Sequence, residues 1–241
     1  MNGLRPLFHK LALRKLILLL QSVSFMSDSQ ESGQNLYREL LHEATFRLIA
    51  ARRFHDGFSK SNSAPDLEAA ILQIRKALEL IAYSAIAPDK KQYKAFRAGA
   101  KKQPDFTRDY HAGKIFSALS RINKDFYPLA LVPAERQPDG SWHFGRRQDG
   151  YLTKKNFENV YDRLGKYLHA HNPWSPNKQI QNLANDLPGI IQKAETLLSL
   201  HARFIRTPDF QEVWVFKVDS NGGPPELVRA ISGGSFVINK S

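Results

Sequence analysis

The sequence predicts a mainly α fold: an antiparallel helical bundle with a short inserted β-hairpin and a C-terminal two-stranded β-ribbon. Apolar residues recur every three or four positions in several long stretches, which is the pattern of amphipathic helices. This periodicity stops after Pro128, where short apolar runs surround the turn-forming Pro138-Asp139-Gly140. Near the C-terminus, two further apolar runs flank the Gly- and Pro-containing stretch 219–225. An apolar fraction of 42% and a charged fraction of 24% are typical of a globular protein.

The chain divides into three predicted parts: an N-terminal extension (1–33), the helical bundle (34–205), and the β-ribbon packed on the bundle (206–241). The first 25 residues contain four Lys or Arg and no acid. Their apolar run is shorter than the roughly seven to fifteen residues of a secretory signal. A translation start at Met26 and a basic amphipathic helix on a membrane surface are the other interpretations. We expect 1–33 to be untranslated or disordered.

Three helices are predicted in the first half of the bundle. The first covers 35–54, where apolar residues form a stripe at helical spacing. The second covers about 66–86, since Pro65 suits a first helical position and Pro88 ends the pattern. The third, over 110–123, is short and again has apolar residues every three or four positions.

The second half of the chain mixes strands and helices. The predicted segments are a hairpin that pairs 129–132 with 142–144, helices over 153–171 and 178–205, and a ribbon that pairs 213–218 with 226–231. Pro173 ends the first of these helices. Pro188-Gly189 should kink or split the second, because proline cannot donate a helical hydrogen bond.

Several functional classes are excluded by what the sequence lacks. It contains no cysteine, which excludes disulfides, thiolate metal sites and cysteine nucleophiles. It has no Walker A loop, dinucleotide-binding fingerprint or HExxH motif, so we expect neither a cofactor nor a zinc hydrolase. No run of eighteen apolar residues is present, and we expect a cytoplasmic protein without a membrane span. A net charge of +12 favours anionic partners.

Two histidine patterns resemble metal sites only superficially. The pair His42-Glu43 begins like a zincin helix, but Phe46 stands where the second histidine would be. On a helix, His169 and His171 would point their rings about 200° apart. The sequence therefore predicts no metal site.

The predicted helix over 153–171 carries a polar ridge opposite its apolar stripe. On a helical wheel the stripe is centred near Leu164. Arg163, Lys166 and His169 lie away from it and follow one another in three-residue steps, about 60° apart each time. The three side chains should thus face solvent at the end of the helix.

This ridge resembles a known motif. Arg163 and His169, with five residues between them on a late helix of a small bundle, resemble the R-x4-6-H motif of the HEPN superfamily. The run 165–173 resembles the end of that motif helix, and Glu79 resembles a polar residue that some members place in an earlier helix. As architecture, the resemblance covers about 34–205.

The resemblance implies an antiparallel bundle, commonly dimeric, and for many members a metal-independent endoribonuclease of toxin–antitoxin or antiviral defence systems. The implied partners are RNA, a second copy of the chain, and an antitoxin or other protein. Arg163 and His169 would be catalytic: His169 exchanges a proton near neutral pH, and Arg163 stabilises negative charge on the phosphate. On a straight helix they lie about 120° apart, so a shared site needs a distorted helix end or a two-fold mate. Lys166, His171 and Asn172 would contact the RNA.

The segment 89–125 is strongly basic, with ten Lys or Arg against four acids. Aromatic residues are interleaved with these charges: Tyr93, Phe96, Phe106, Tyr110 and Phe116. Cations beside aromatic rings can hold phosphates and stack bases, and we predict Lys101 and Lys102 as RNA contacts. The alternative is a solvated loop whose aromatic side chains pack inward.

The sequence is also consistent with a second function. Leu164 stands where family nucleases usually carry Asn, His or Asp, and many exposed helices carry an arginine and a histidine by chance. The alternative is a non-catalytic interaction or scaffold protein whose basic surface binds nucleic acid or an acidic partner.

Overall fold

A computed structural model describes residues 28–101, 104–138, 140, 142–169, 174, 180–207 and 210–230. The protein is mainly helical and carries a small antiparallel sheet, as the sequence predicts in outline. The helices are α1 (Asp28–Ser61), α2 (Ala64–Ser84), α3 (Lys90–Ala98), α4 (Ala112–Ile122), α5 (Lys154–Gly165) and α6 (Ile180–Ser199). The strands are β1 (Leu129–Ala130), β2 (Glu135–Arg136), β3 (Trp142–His143), β4 (Leu200–Thr207), β5 (Phe210–Lys217) and β6 (Glu226–Ala230). No helix within these described ranges is both long enough and apolar enough to cross a membrane.

Helices α1 and α2 form a hairpin that supplies much of the core. The chain reverses at Asn62, whose φ of 53° lies in the left-handed region. Ser63 then caps α2, because its hydroxyl accepts a hydrogen bond from the backbone N–H of Asp66. Helix α1 is longer than the predicted 35–54, and its first turns lie inside the predicted N-terminal extension. The remainder of that extension lies outside the described residues.

The basic segment contains a helix that the sequence did not predict. Helix α3 occupies the place of the loop that the alternative interpretation proposed. Tyr93 anchors it, because the side chain is buried and its hydroxyl donates a 2.8 Å hydrogen bond to Asp109. Helix α4, which follows, agrees closely with the predicted 110–123.

The main sheet has the order β1-β4-β5-β6, and every neighbouring pair is antiparallel. The predicted pairing of 213–218 with 226–231 is confirmed, since β5 and β6 pair through Val215 and Val228. The helix predicted over 178–205 was wrong beyond Ser199, where β4 begins. Strand β4 also crosses the predicted domain boundary at 205/206.

Alternation of side chains across β4 explains this correction. Arg203 and Ile205 point to the helices, whereas Ala202 and Phe204 join a smaller cluster on the other face of the sheet. Both faces are buried, and the face toward the helices carries the buried polar residues His201 and Arg203, so apolar spacing alone does not reveal β4 as a strand.

The predicted hairpin of 129–132 with 142–144 was wrong in its register, because Leu131 forms an antiparallel bridge with Arg146, just beyond the predicted partner. Strand β1 pairs with β4, through Leu129 and Ala202, and the small hairpin is formed by β2 and β3. Ala130 is buried, whereas β2 is exposed. The apolar segment therefore joins the larger sheet, which covers more apolar surface than a lone hairpin can.

Of the predicted kink or split at Pro188-Gly189, the split was wrong, because helix α6 continues through Pro188. Proline removes the N–H that would bond to the Ala184 carbonyl. The imidazole of His55 on α1 occupies that position and lies 3.0 Å from the same carbonyl oxygen. A side chain from another helix thus replaces the missing backbone donor.

A buried ion pair connects the sheet to the helices. The guanidinium of Arg203 lies 2.6 Å from the carboxylate of Asp89, and both side chains are almost completely buried. Arg203 also donates to the carbonyl oxygens of Ala85 and Asp125, and Asn123 donates to the Phe204 carbonyl. Burial raises the pKa of Asp89 and lowers the pKa of Arg203, although each partner's charge acts in the opposite direction.

Candidate functional site

A surface cleft of about 380 Å³ lies where the end of α5 packs against the middle of α2. Four of its six lining residues carry charged or titratable side chains. The lining residues are Arg75, Asp162, Gly165, Lys166, Leu168 and His169.

The end of α5 is shorter than predicted, and this shapes the cleft. Regular helix stops at Gly165 rather than at residue 171. The backbone N–H groups of Lys166, Tyr167 and Leu168 then bond to carbonyls three residues back, at 3.1–3.4 Å. The predicted ridge of Arg163, Lys166 and His169 is therefore not one continuous helical face, and Lys166 and His169 turn into the cleft.

Because residue 165 is a glycine, the guanidinium of Arg75 can reach the wall of the cleft. A Cβ atom at position 165 would collide with Nη1 of Arg75. Any other residue at 165 would therefore force the Arg75 side chain to move.

Arg75 is held by four contacts with Tyr161 and Glu79. Its Nη2 donates a 2.8 Å hydrogen bond to the Tyr161 hydroxyl, and its Nη1 donates to the Tyr161 carbonyl at 3.2 Å. Its Nε lies 3.3 Å from Glu79, and the guanidinium stacks over the Tyr161 ring at 4.0 Å. Because a guanidinium has five N–H donors, these contacts leave donors for an anion in the cleft.

Tyr161 serves as a neutral support for Arg75. Its hydroxyl donates a 2.9 Å hydrogen bond to Glu79. Burial, followed by the hydrogen bond to Glu79 and the charge of that carboxylate, raises the pKa of Tyr161. The phenol is therefore protonated at neutral pH.

A second histidine stands behind the acidic side of the cleft. Nε2 of His111 lies 3.5 Å from the carboxylate of Asp162, and its ring meets Tyr161 edge to face at 5.4 Å. Asp162 thus links the cleft to the start of α4, where His111 precedes the first turn.

The structure separates the two predicted catalytic residues. His169 lines the cleft, together with the predicted RNA contact Lys166. Arg163 instead forms a 2.7 Å ion pair with Asp186 of α6 and is not among the residues that line the cleft. Both side chains of that pair are partly exposed.

The other predicted RNA contacts lie elsewhere or outside the described residues. Lys101 is exposed just beyond the end of α3. Lys102, His171 and Asn172 fall outside the described residues.

The aromatic residues of the basic segment divide between the core and the surface. Tyr93 and Phe116 are buried, whereas Phe96 and Tyr110 are exposed. Arg97 is bound by Asp109, while Lys90, Lys91 and Lys94 are exposed on the surface. The surface of α3 is therefore basic with one exposed aromatic ring, Phe96.

Arg75 and Asp162 were not predicted from the sequence as residues of the site. The signal for Arg75 was its spacing from Glu79, four residues later on α2, which is also the spacing of an ordinary surface ion pair. Only the packing of α5 onto α2 distinguishes an arginine of the cleft from an arginine of an ordinary surface ion pair. Among the described residues, no group of three or more histidine or acidic side chains is arranged to hold a metal ion.

No protein-family model matches the chain, and neither a curated protein nor a solved structure matches it.

Proposed function

We propose that the cleft at the end of α5 binds the phosphate backbone of RNA and that the protein is a HEPN-like, metal-independent endoribonuclease. One observation carries the proposal: Arg75, Lys166 and His169 line the same cleft. Two cations provide affinity for a phosphodiester, and the imidazole beside them is a group that can accept a proton.

The proposed reaction needs no metal ion. The 2′-hydroxyl of the ribose attacks the adjacent phosphorus and forms an O2′–P bond, while His169 accepts the hydroxyl proton. The P–O5′ bond breaks, and the leaving 5′-oxygen takes a proton from water. The products are a 2′,3′-cyclic phosphate and a 5′-hydroxyl. Arg75 and Lys166 stabilise the charge that builds on the equatorial phosphate oxygens.

In this proposal Arg75 takes the role that the family resemblance implied for Arg163. The two arginines differ in their surroundings, because Arg163 is paired with Asp186 whereas Arg75 reaches the cleft beside Gly165. A planar guanidinium fixed by Tyr161 is preorganised, which favours its interaction with a transition state.

The exposed lysines of α3, with Lys101, are proposed as a further contact surface for RNA. Tyr110 is proposed as a stacking surface for a base, since its carbonyl lies 3.3 Å from the hydroxyl of Tyr161, which supports Arg75, and its side chain is 65% exposed. Lys102, His171 and Asn172 remain predicted contacts. A homodimer, an antitoxin partner, a role in defence and a cytoplasmic location belong to the same proposal.

A non-catalytic scaffold is the second candidate. The ion pair between Arg163 and Asp186 favours it, because that contact makes the motif arginine a link between α5 and α6. In that case the basic surface would bind nucleic acid or an acidic partner without cleaving it.

The test incubates the full chain with single-stranded RNA in the presence of EDTA. We expect cleavage that leaves cyclic phosphate ends. His169→Ala should lower its rate by about 10²–10⁴-fold, the usual contribution of proton transfer. Arg75→Lys should also lower the rate, whereas Arg163→Ala is the matched control and should cleave normally. Urea unfolding of each variant separates lost activity from lost structure.

RNA binding without cleavage would decide for the scaffold. Cleavage that persists in His169→Ala would instead show that His169 is not the proton acceptor of the proposed reaction. Loss of activity in Arg163→Ala, with Arg75→Lys unaffected, would return the catalytic role to Arg163.

A further inference from the structure

A second cleft, of about 470 Å³, lies between the end of α1 and the first half of α6. It shares no lining residue with the first cleft. The lining residues are His55, Phe58, Ser59, Asn62, Gln181, Ala184, Asn185 and Pro188.

The chemistry of this cleft is neutral and polar. None of its lining residues is Lys, Arg, Asp or Glu, although the chain as a whole carries a net charge of +12. Three carboxamides, Asn62, Gln181 and Asn185, provide both hydrogen-bond donors and acceptors. A ligand for this cleft should therefore be uncharged and should itself carry both donors and acceptors.

Two of the carboxamides are held in a fixed relation on α6. Nε2 of Gln181 donates a 3.1 Å hydrogen bond to Oδ1 of Asn185. This contact leaves the carbonyl oxygen of Gln181 as an acceptor and the amide of Asn185 as a donor. If both amides are turned over, the same pair still leaves one donor and one acceptor.

Neighbouring donor and acceptor groups match the edge of a nucleobase. One carboxamide can bind adenine through its exocyclic amino group and a ring nitrogen. Here the free acceptor of Gln181 and the free donor of Asn185 offer the same two kinds of group from neighbouring side chains. Phe58 provides an aromatic side chain on the α1 side of the cleft, against which a planar ring can stack. The volume falls within the range of about 300–1,000 Å³ that small-molecule sites occupy.

The frame of the cleft is rigid. His55 bonds to the Ala184 carbonyl and so joins α1 to α6 behind the carboxamides. Asn62 sits at the left-handed position that closes α1, which fixes the direction of the chain there. These contacts hold the backbone segments that carry the carboxamides.

We propose that this cleft binds an uncharged nucleobase, with its edge on Gln181 and Asn185 and its ring against Phe58. The proposal does not rest on the ribonuclease function, because it uses different residues and a ligand without phosphate.

The probe is adenosine, added to the full chain and followed by saturation-transfer NMR and by chemical-shift changes of backbone amides. We expect saturable binding and shifts at the end of α1 and the start of α6. Gln181→Ala/Asn185→Ala should weaken binding at least about fivefold, because a bidentate contact to a base contributes at least about that factor. Both positions are exposed on a helix, so alanine should not unfold the protein.

Two control variants make the result specific. Asn156→Ala removes an exposed carboxamide from α5, outside the cleft, and should leave adenosine binding unchanged. Asn62→Gly removes the third carboxamide while keeping a residue that adopts a positive φ readily, and should weaken binding. The proposal is overturned if adenosine shows no saturable binding at millimolar concentration, or if it binds the double variant as well as it binds the original protein.

Discussion

The imidazole of His55 on α1 lies 3.0 Å from the carbonyl oxygen of Ala184, the group that Pro188 leaves without its helical N–H donor. Because a carbonyl oxygen can only accept, Nε2 of His55 must carry the hydrogen. Ala184 is buried, so its carbonyl oxygen has neither a helical N–H donor nor water as a partner. Without His55 that oxygen would have no hydrogen-bond donor. The bond between α1 and α6 thus allows a proline in the interior of a 20-residue helix.

A double-mutant cycle on these two positions tests this relationship. His55→Ala should lower the free energy of unfolding by about 1–3 kcal/mol, because it leaves a buried acceptor without a donor. In a Pro188→Ala background, the new N–H of residue 188 should bond to Ala184. The same His55 substitution should then change stability by less than about 0.5 kcal/mol. Urea unfolding measures all four proteins, and equal effects in both backgrounds would contradict the assignment.

His201 should make the fold sensitive to mild acid. Its Nδ1 donates to the Leu198 carbonyl at 2.9 Å, so its Nε2 accepts from the Tyr37 hydroxyl, also at 2.9 Å. Burial lowers the pKa of His201 to about 4, and the charge of Arg203 acts in the same direction. Between about pH 6.5 and 4 the unfolded chain is thus protonated at this site while the folded protein is neutral. Stability from His201 is complete above pH 6.5 and falls as the pH drops towards 4, by at most about 3 kcal/mol.

His201→Gln isolates this contribution, because glutamine does not titrate. Other groups also titrate in acid, and the raised pKa of Asp89 acts in the opposite sense. The useful quantity is therefore the difference in unfolding free energy between the two proteins at each pH. We expect the advantage of the original protein to shrink between pH 7 and 4. A difference that does not depend on pH would show that His201 is not buried as a neutral group.

The ion pair of Arg203 with Asp89 gives a third prediction. Asp89→Ala should cost about 3–5 kcal/mol, because it leaves a guanidinium buried without its counter-charge. Adding Arg203→Met should recover part of this loss, since the double variant buries no charge. The exposed pair of Lys217 and Glu226 is the matched control, and Lys217→Ala should cost less than about 1 kcal/mol. Urea unfolding distinguishes these outcomes, and strictly additive losses at 89 and 203 would refute the coupling.

The elements of the fold that could be predicted are those fixed by residues close to one another in the sequence. Apolar spacing predicted α1, α2 and α4, and the turn at 219–225 predicted the pairing of β5 with β6. Strand β4 was missed because both of its faces are buried. One face carries the buried Arg203, whose ion-pair partner, Asp89, is 114 residues away in the sequence. The continuity of α6 was missed for the same reason, because the donor to Ala184 comes from α1.

The residues of the first cleft also divide into those that the sequence predicted and those that it did not. Lys166 and His169 could be found because they follow an amphipathic helix and are polar. The helix ends early, however, and Tyr167 and Leu168 still pack against the core, so the apolar period continues beyond the helix itself. Arg75 entered the site only through the contact of α2 with α5, which no local pattern records.

Gly165→Ala tests how the first cleft is built. The added Cβ would collide with Nη1 of Arg75, which is the end of a flexible side chain. The guanidinium should therefore swing away from the Tyr161 carbonyl, at little cost to the fold. Alanine is in fact favoured over glycine in a helix by up to about 1 kcal/mol. We expect RNA affinity to fall while the free energy of unfolding stays within about 1 kcal/mol of the original value.

Gly189→Ala is the matched control for this experiment. Gly189 also lies in a helix, but a Cβ there would meet no atom within 4 Å. The control should gain stability without losing RNA affinity, as measured by urea unfolding and by fluorescence anisotropy of a labelled single-stranded RNA. If Gly165→Ala binds RNA as tightly as the control does, Arg75 is not the cation that holds the phosphate. Lys166 would then have to supply that charge, because it lines the same cleft and does not depend on the space at residue 165.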